Sequence, residues 1–211
     1  MKNAKPDPGE KAGEVVVATL MRPVGVSGLQ TSAVVLRAAL DRQGFDTALI
    51  TPFSANAMWM PILGVRRLGL GRLNSNWSIR WHRYWHRHAL RQALFAYCRD
   101  HSVDVILAQC PVSARAALQC RELLSQELSV VLVCHFNRSQ ADEFAGKGEL
   151  TNSRLDRAIR AEEARVIEEV DSVVYVSDWL RNVVEEERGI RPRDSQVIWN
   201  GVVLAKVSPL G

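Results

Sequence analysis

The stretch from Val15 to Thr51 constrains the fold more than any other part of the chain. Val15-Val16-Val17-Ala18-Thr19-Leu20 is a short apolar run rich in β-branched residues, the pattern of a strand buried on both faces of a parallel sheet. A turn follows, with Pro23 unable to join a ladder and Gly25 and Gly28 free to take dihedrals that a Cβ would forbid. Thr31 or Ser32 offers an N-cap, and Val34, Val35, Ala38 and Ala39 recur at helical spacing until Gly44 stops the helix. Asp46 to Thr51 then predicts a second strand. The unit is one right-handed βαβ crossover whose first loop lies at the carboxyl edge of the sheet, where ligands bind in folds of this kind.

The strand and helix rhythm continues. Strands are expected at Asp104–Ala108, Val130–Cys134, Ser172–Val176 and Val197–Trp199, and helices at Trp77–Cys98, Ser113–Leu124 (capped by Ser113), Leu155–Val170 and from Ser177-Asp178 to Glu187. Leu155–Val170 reads as a solvent-facing helix, Phe53–Asn74 as an irregular excursion, and Asp142–Thr151, with its Gly146-Lys147-Gly148, as a mobile loop. The fold class is therefore α/β, a Rossmann-like, doubly wound, mostly parallel sheet. Its 211 residues suffice for one such domain and are too few for two large ones. The expected layout is a polar, disordered leader over 1–14, the domain over 15–202 and the start of an interdomain link over 203–211.

The four cysteines form no C-x-x-C pair and read as reduced packing residues of a cytoplasmic protein. No run reaches the length of a membrane span, and MKNAKPDPGEKAGE lacks the apolar core of a signal peptide. Net charge is only +4, but it is unevenly spread. Between Thr47 and Arg99 there is no Asp or Glu, while Arg66, Arg67, Arg72, Arg80, Arg83, Arg87, Arg91 and Arg99 are all present. The rest of the chain is net acidic, so this band points to an anionic partner.

Within the band, Trp77, Trp81, Tyr84, Trp85, His88 and Phe95 share one face of a helix, beside a stripe of Arg80, Arg83, Arg87 and Arg91. On one reading this face, with Trp77, Arg80, Trp81, Arg83 and Arg87, lies on an acceptor or on anionic lipid headgroups. On the other, the aromatic side packs on the sheet and the arginines are solvated. His82 and His86 stand at i, i+4, but no Glu follows His82 as in H-E-x-x-H, so no metal site is expected. Arginines interleaved with aromatics also describe a single-strand surface, yet no nucleic-acid module is present and no nucleic-acid partner is expected.

His135 follows a buried strand directly, at the same edge as the glycine loop, where it can donate to a substrate oxygen or simply bond a loop carbonyl. The loop Gly25-Val26-Ser27-Gly28 sits between a strand and a helix N-terminus, a place that favours phosphate. It is neither G-x-G-x-x-G nor a Walker sequence, and the second strand ends in Thr51-Pro52 instead of an acid, which disfavours a nicotinamide cofactor.

Arg22-Pro23-Val24-Gly25-Val26-Ser27-Gly28-Leu29-Gln30-Thr31, followed by Leu40 to Asp46, resembles the start of family 4 glycosyltransferases of the GT-B fold. Phe45 stands where that family commonly has His. Val131 to Phe136 resembles its strand ending in a functional His, Val173 to Ser177 its strand ending in Ser, and Val197 to Val202 its V-I-P-N-G-V link, with Trp199 in place of Pro. The resemblance implies the N-terminal, acceptor-side half of a retaining enzyme, of hexosyltransferase type, that moves a sugar from a nucleotide-sugar donor to a glycan or lipid-linked acceptor. It implies no cofactor and no metal. By position, Gly25, Val26, Ser27 and Gly28 would meet the donor diphosphate, His135 the donor sugar, and Ser177 and Asn200 the donor cleft. It also implies a role in polysaccharide biosynthesis at the inner membrane face. A C-terminal GT-B domain is the expected partner, and without it the chain is expected to transfer little sugar.

Overall fold

A computed structural model describes residues 13–22, 28–64, 74–135 and 138–199. Six strands form one sheet in the order β2-β1-β3-β4-β5-β6, every neighbouring pair parallel. They are β1 (Glu14–Ala18), β2 (Asp46–Ile50), β3 (Val105–Ala108), β4 (Ser129–Cys134), β5 (Ser172–Tyr175) and β6 (Ser195–Val197). The helices are α1 (Gly28–Arg42), α2 (Met60–Gly64), α3 (Ser75–Asp100), α4 (Pro111–Leu124), α5 (Gln140–Gly146), α6 (Ser153–Glu169) and α7 (Asp178–Asn182), the last continuing as a π turn over Val183–Glu187. This is the expected Rossmann-like, doubly wound sheet.

The order of strands sets the faces. From β1 the chain moves one way to β2, then back past β1 to β3 and onward, so right-handed crossovers put α1 on one face and α3, α4 and α6 on the other. On that second face Val16, Ala18, Ile106, Leu132, Val173 and Tyr175 from the sheet meet Leu90, Leu94, Ala117, Val166 and Ile167 from the helices in one core. Gly44, at φ +91°, ends α1: Phe45 N donates to Leu40 O at 3.2 Å and Gly44 N to Asp41 O at 3.1 Å. That paired closure needs a left-handed residue.

Several expected boundaries shift for local reasons. Glu14, placed in the leader, opens β1, because its N–H is held by Asp104 Oδ2 at 2.8 Å. Helix α1 begins at Gly28, ahead of the proposed Thr31 or Ser32 cap. Helix α4 begins at Pro111 with Cys110 as its N-cap; Ser113 sits at N3, accepting from Cys110 N at 3.0 Å. The supposed mobile loop holds α5, capped by Ser139, and its end is anchored by buried Leu150 beside Ile79, Leu155 and Ile159. Of the leader, only Gly13 and Glu14 are described; the residues from 200 onward lie outside the described residues.

Helix α3 corrects the expected side-chain assignments. Its sheet side is built from Leu90, Ala93, Leu94 and Cys98, not from the tryptophans. The aromatic side is met by the excursion: Trp81 Nε1 donates to Ile62 O at 3.0 Å, and Trp59 donates to Gln92 Oε1 at 3.0 Å while its ring lies 5.7 Å from that of Trp85. Arg83 is buried, with Nη2 2.9 Å from Glu162 Oε2 and Nη1 2.6 Å from Gln140 Oε1, and Arg87 Nη1 reaches Glu162 Oε1 at 2.6 Å. These two arginines therefore bind α6 and do not form part of a solvated stripe.

Burial alone would push the Glu162 carboxyl up, but Arg83 and Arg87 outweigh it and hold the group below the usual carboxylate range. A depressed folded value stabilises the native state above the unfolded pKa, about 4.3, and that contribution disappears as pH falls through the folded value. Urea unfolding of Glu162→Gln should therefore show lower stability than wild type at pH 7, and the gap should close below about pH 4. A gap independent of pH would exclude the ion pairs as its source.

Candidate active site at the carboxyl edge

The sheet order reverses between β1 and β3, and a doubly wound sheet binds ligands outside its carboxyl ends at that point. A crevice of about 330 Å³ opens there. Its floor is Thr19, Leu20 and Met21 after β1, and Gln109 and Cys110 after β3; His135 stands on one side after β4, with Gln140, Glu143 and His82 around it.

Strand lengths explain why His135 overhangs the floor. Ala18 aligns with Ile50 and Ala108, and Ala108 with Leu132, so β1, β2 and β3 end level while β4 runs on to Cys134. His135 stands two residues further out than Gln109, about 7 Å at the strand rise. Its ring turns back, with Nε2 2.9 Å from Gln109 Oε1. Gln109 is itself fixed, its N–H donating to Ala18 O at 2.9 Å in continuation of the ladder. Burial pushes the His135 pKa down from its ordinary value, so the ring is neutral at pH 7. Glu143 moves the other way: partial desolvation raises its carboxyl, opposed in part by Lys147.

Helix α3 reaches the crevice through His82, whose ring stacks on that of His86 at 3.9 Å; His86 in turn meets Phe53 edge-on at 6.0 Å. The Arg22 guanidinium lies 5.1 Å from the Phe53 ring centroid. The excursion after β2 and helix α3 are thus packed together beside the site.

Of the residues singled out from sequence, His135 lies in the crevice. Ser177 caps α7 through its Oγ, which accepts from Leu180 N at 3.2 Å, and is not among the crevice-lining residues. Gly25, Val26, Ser27 and Asn200 lie outside the described residues, and Gly28 is described as the first residue of α1. Trp77 and Tyr84 are exposed, at 42% and 52%, and Arg80 is exposed too; Trp81 is half-buried. Sequence reasoning passed over Gln109, Gln140 and Glu143. Gln109 carried the same signal as His135, a polar residue directly after a buried strand.

A Rossmann-like sheet with a crevice at its switch point, overhung by a neutral imidazole, is the arrangement in which doubly wound folds bind small molecules. The family is more particular. Residues 26–206 match Glycosyltransferase Family 4, and the chain belongs to that family. No curated protein matches the chain.

Proposed function

We propose that this chain is the acceptor-side domain of a retaining glycosyltransferase that takes a sugar from a nucleotide-sugar donor and delivers it to a glycan or lipid-linked acceptor. The observation that carries this reading is His135: in a chain of this family, a neutral imidazole overhangs the crevice at the switch point of the sheet. On this reading the loop from Gly25 to Gly28, leading into the N-terminus of α1, faces the donor diphosphate, and Ser177 and Asn200 border the donor side. His135 contacts the donor sugar near the carbon that changes partner, and no cofactor is needed. The reaction needs two walls to exclude water and orient both substrates. A C-terminal donor domain supplies the second wall, and the 211-residue chain alone is expected to turn over little or no nucleotide sugar. Robust transfer by the chain alone would remove that part of the proposal.

A surface observation favours a second reading, a non-catalytic binding module on anionic membrane or glycan, which is also compatible with the first. Trp77, Arg80 and Tyr84 lie at helical spacing on the outer side of α3, and all three are exposed. Among the described residues Arg80 joins no ion pair, and no helix is long and apolar enough to cross a membrane. On this reading the protein sits peripherally on the inner membrane face. Sedimentation with vesicles rich in phosphatidylglycerol should show salt-sensitive binding, and Arg80→Ala should weaken it about fivefold, the worth of one interfacial cation. Tyr84→Ala should weaken it further. Unchanged partitioning in both variants would return this face of α3 to plain solvent.

A further inference from the structure

We propose that Gln109 has two roles in the crevice: its side-chain carbonyl fixes the Nε2–H tautomer of His135, and its amide NH₂ donates to a hydroxyl oxygen of a bound hexose. This rests on the reading of the crevice as a sugar site. Gln109 is 1% exposed, and Nε2 of its amide is buried without a hydrogen-bond partner, while Oε1 is occupied by His135 at 2.9 Å. A buried donor left unpaired is destabilising, and it calls for a partner that the protein itself does not supply, a water or a bound ligand. Gln109 lines the crevice, whose 330 Å³ falls at the lower end of small-molecule sites, enough for one sugar ring.

The rest of the lining selects the ligand class. Glu143, at the rim, is an acceptor when ionised, and its negative charge repels an anionic group from this end of the crevice. A neutral polyol satisfies both ends, one hydroxyl oxygen accepting from Gln109 and another hydroxyl donating to Glu143. With His135 Nε2–H committed to Gln109, the imidazole is held in one orientation, which is what a group contacting a reacting sugar requires. Gln109 is thus a positioning residue for His135 and a direct contact for the ligand.

Two substitutions separate the roles. Gln109→Glu keeps an acceptor for His135 Nε2–H but removes the N–H donor; Gln109→Leu removes both. Long-range ¹⁵N imidazole spectra of the 211-residue chain should show the Nε2–H tautomer of His135 in wild type. Gln109→Glu should retain it and raise the His135 pKa by about one unit, and Gln109→Leu should lower the pKa and mix the tautomers. The titrations of His82, Cys110 and Glu143, which line the same crevice, are followed in parallel so that their charges are not mistaken for that of residue 109. Saturation-transfer spectra with methyl α-D-glucoside, galactoside and mannoside should give a signal from at least one hexoside with wild type, reduced tenfold or more in both variants. An Nδ1–H tautomer in wild type, or a His135 pKa unmoved in Gln109→Leu, would overturn the first role. Full hexoside binding by Gln109→Glu, or none by wild type, would overturn the second, because a water alone would then satisfy the amide. Sugar transfer is assayed separately, on the protein expressed from its complete reading frame: transfer unaffected by Gln109→Glu sinks the hydroxyl contact and leaves glycosyl transfer standing, whereas hexoside binding without transfer does the reverse.

Discussion

Replacing Glu163 with alanine is expected to lower stability by about 3–5 kcal/mol, the range for removing one partner of a buried ion pair. The Glu163 side chain is fully buried, and three groups converge on it: Ser139 Oγ donates at 2.6 Å, Gln140 N at 2.8 Å and Arg188 Nη2 at 3.3 Å. Ser139 is also the N-cap of α5, accepting from Ala141 N at 2.9 Å, and Arg188 Nη1 holds Arg138 O at 2.8 Å. One carboxylate therefore fastens the segment around Ser139, between His135 and the crevice residues Gln140 and Glu143. At a urea dependence of about 2 kcal/mol/M, the unfolding midpoint should fall by about 2 M. Glu163→Gln should fall between the two, since an amide keeps one acceptor but presents N–H groups to other donors. An alanine variant within 1 kcal/mol of wild type would mean that the cluster is not the anchor of this segment.

The second large effect concerns His135. With Nε2–H held by Gln109, the bare Nδ1 of the neutral ring is the acceptor left for a sugar hydroxyl, and losing that positioned contact in His135→Ala should lower kcat/KM by about 10²-fold. Burial keeps the ring neutral. The rate should therefore be flat around pH 7 and fall only when the pH drops below the ordinary imidazole value of about 6.5. A profile falling between pH 7 and 8 would point to a cationic His135 as the active form.

The sheet was legible in the sequence because its strands are short apolar runs bounded by turn residues, and parallel strands buried on both faces have little other way to look. The same logic reached His135, since a residue directly after such a strand stands at the carboxyl edge. The charged residues were a different case. Glu162 and Glu163 sit in a helix whose charges suggested a solvated face, yet both turn inward because Arg83, Arg87 and Arg188 come to meet them. Arg83 lies 79 residues away from Glu162 in the chain, and no periodicity within either helix records that pairing. The aromatic stripe of α3 failed as a guide for a related reason. Periodicity correctly put Trp81 and Trp85 on one face, but not which neighbour would cover them, and the cover comes from the irregular segment around Trp59 and Ile62. The short helix α5 was hidden by Gly146-Lys147-Gly148, whose glycines end it instead of preventing it.

The most direct test of glycosyl transfer is an assay of the protein expressed from its complete reading frame, with a panel of radiolabelled nucleotide sugars and a membrane extract as acceptor, comparing wild type with His135→Ala. Family membership and the His135 crevice together predict label entering a glycan or lipid-linked product, lowered about 10²-fold by the substitution. Label transferred equally by both proteins, or by neither, would contradict the assignment of this crevice as the site of transfer.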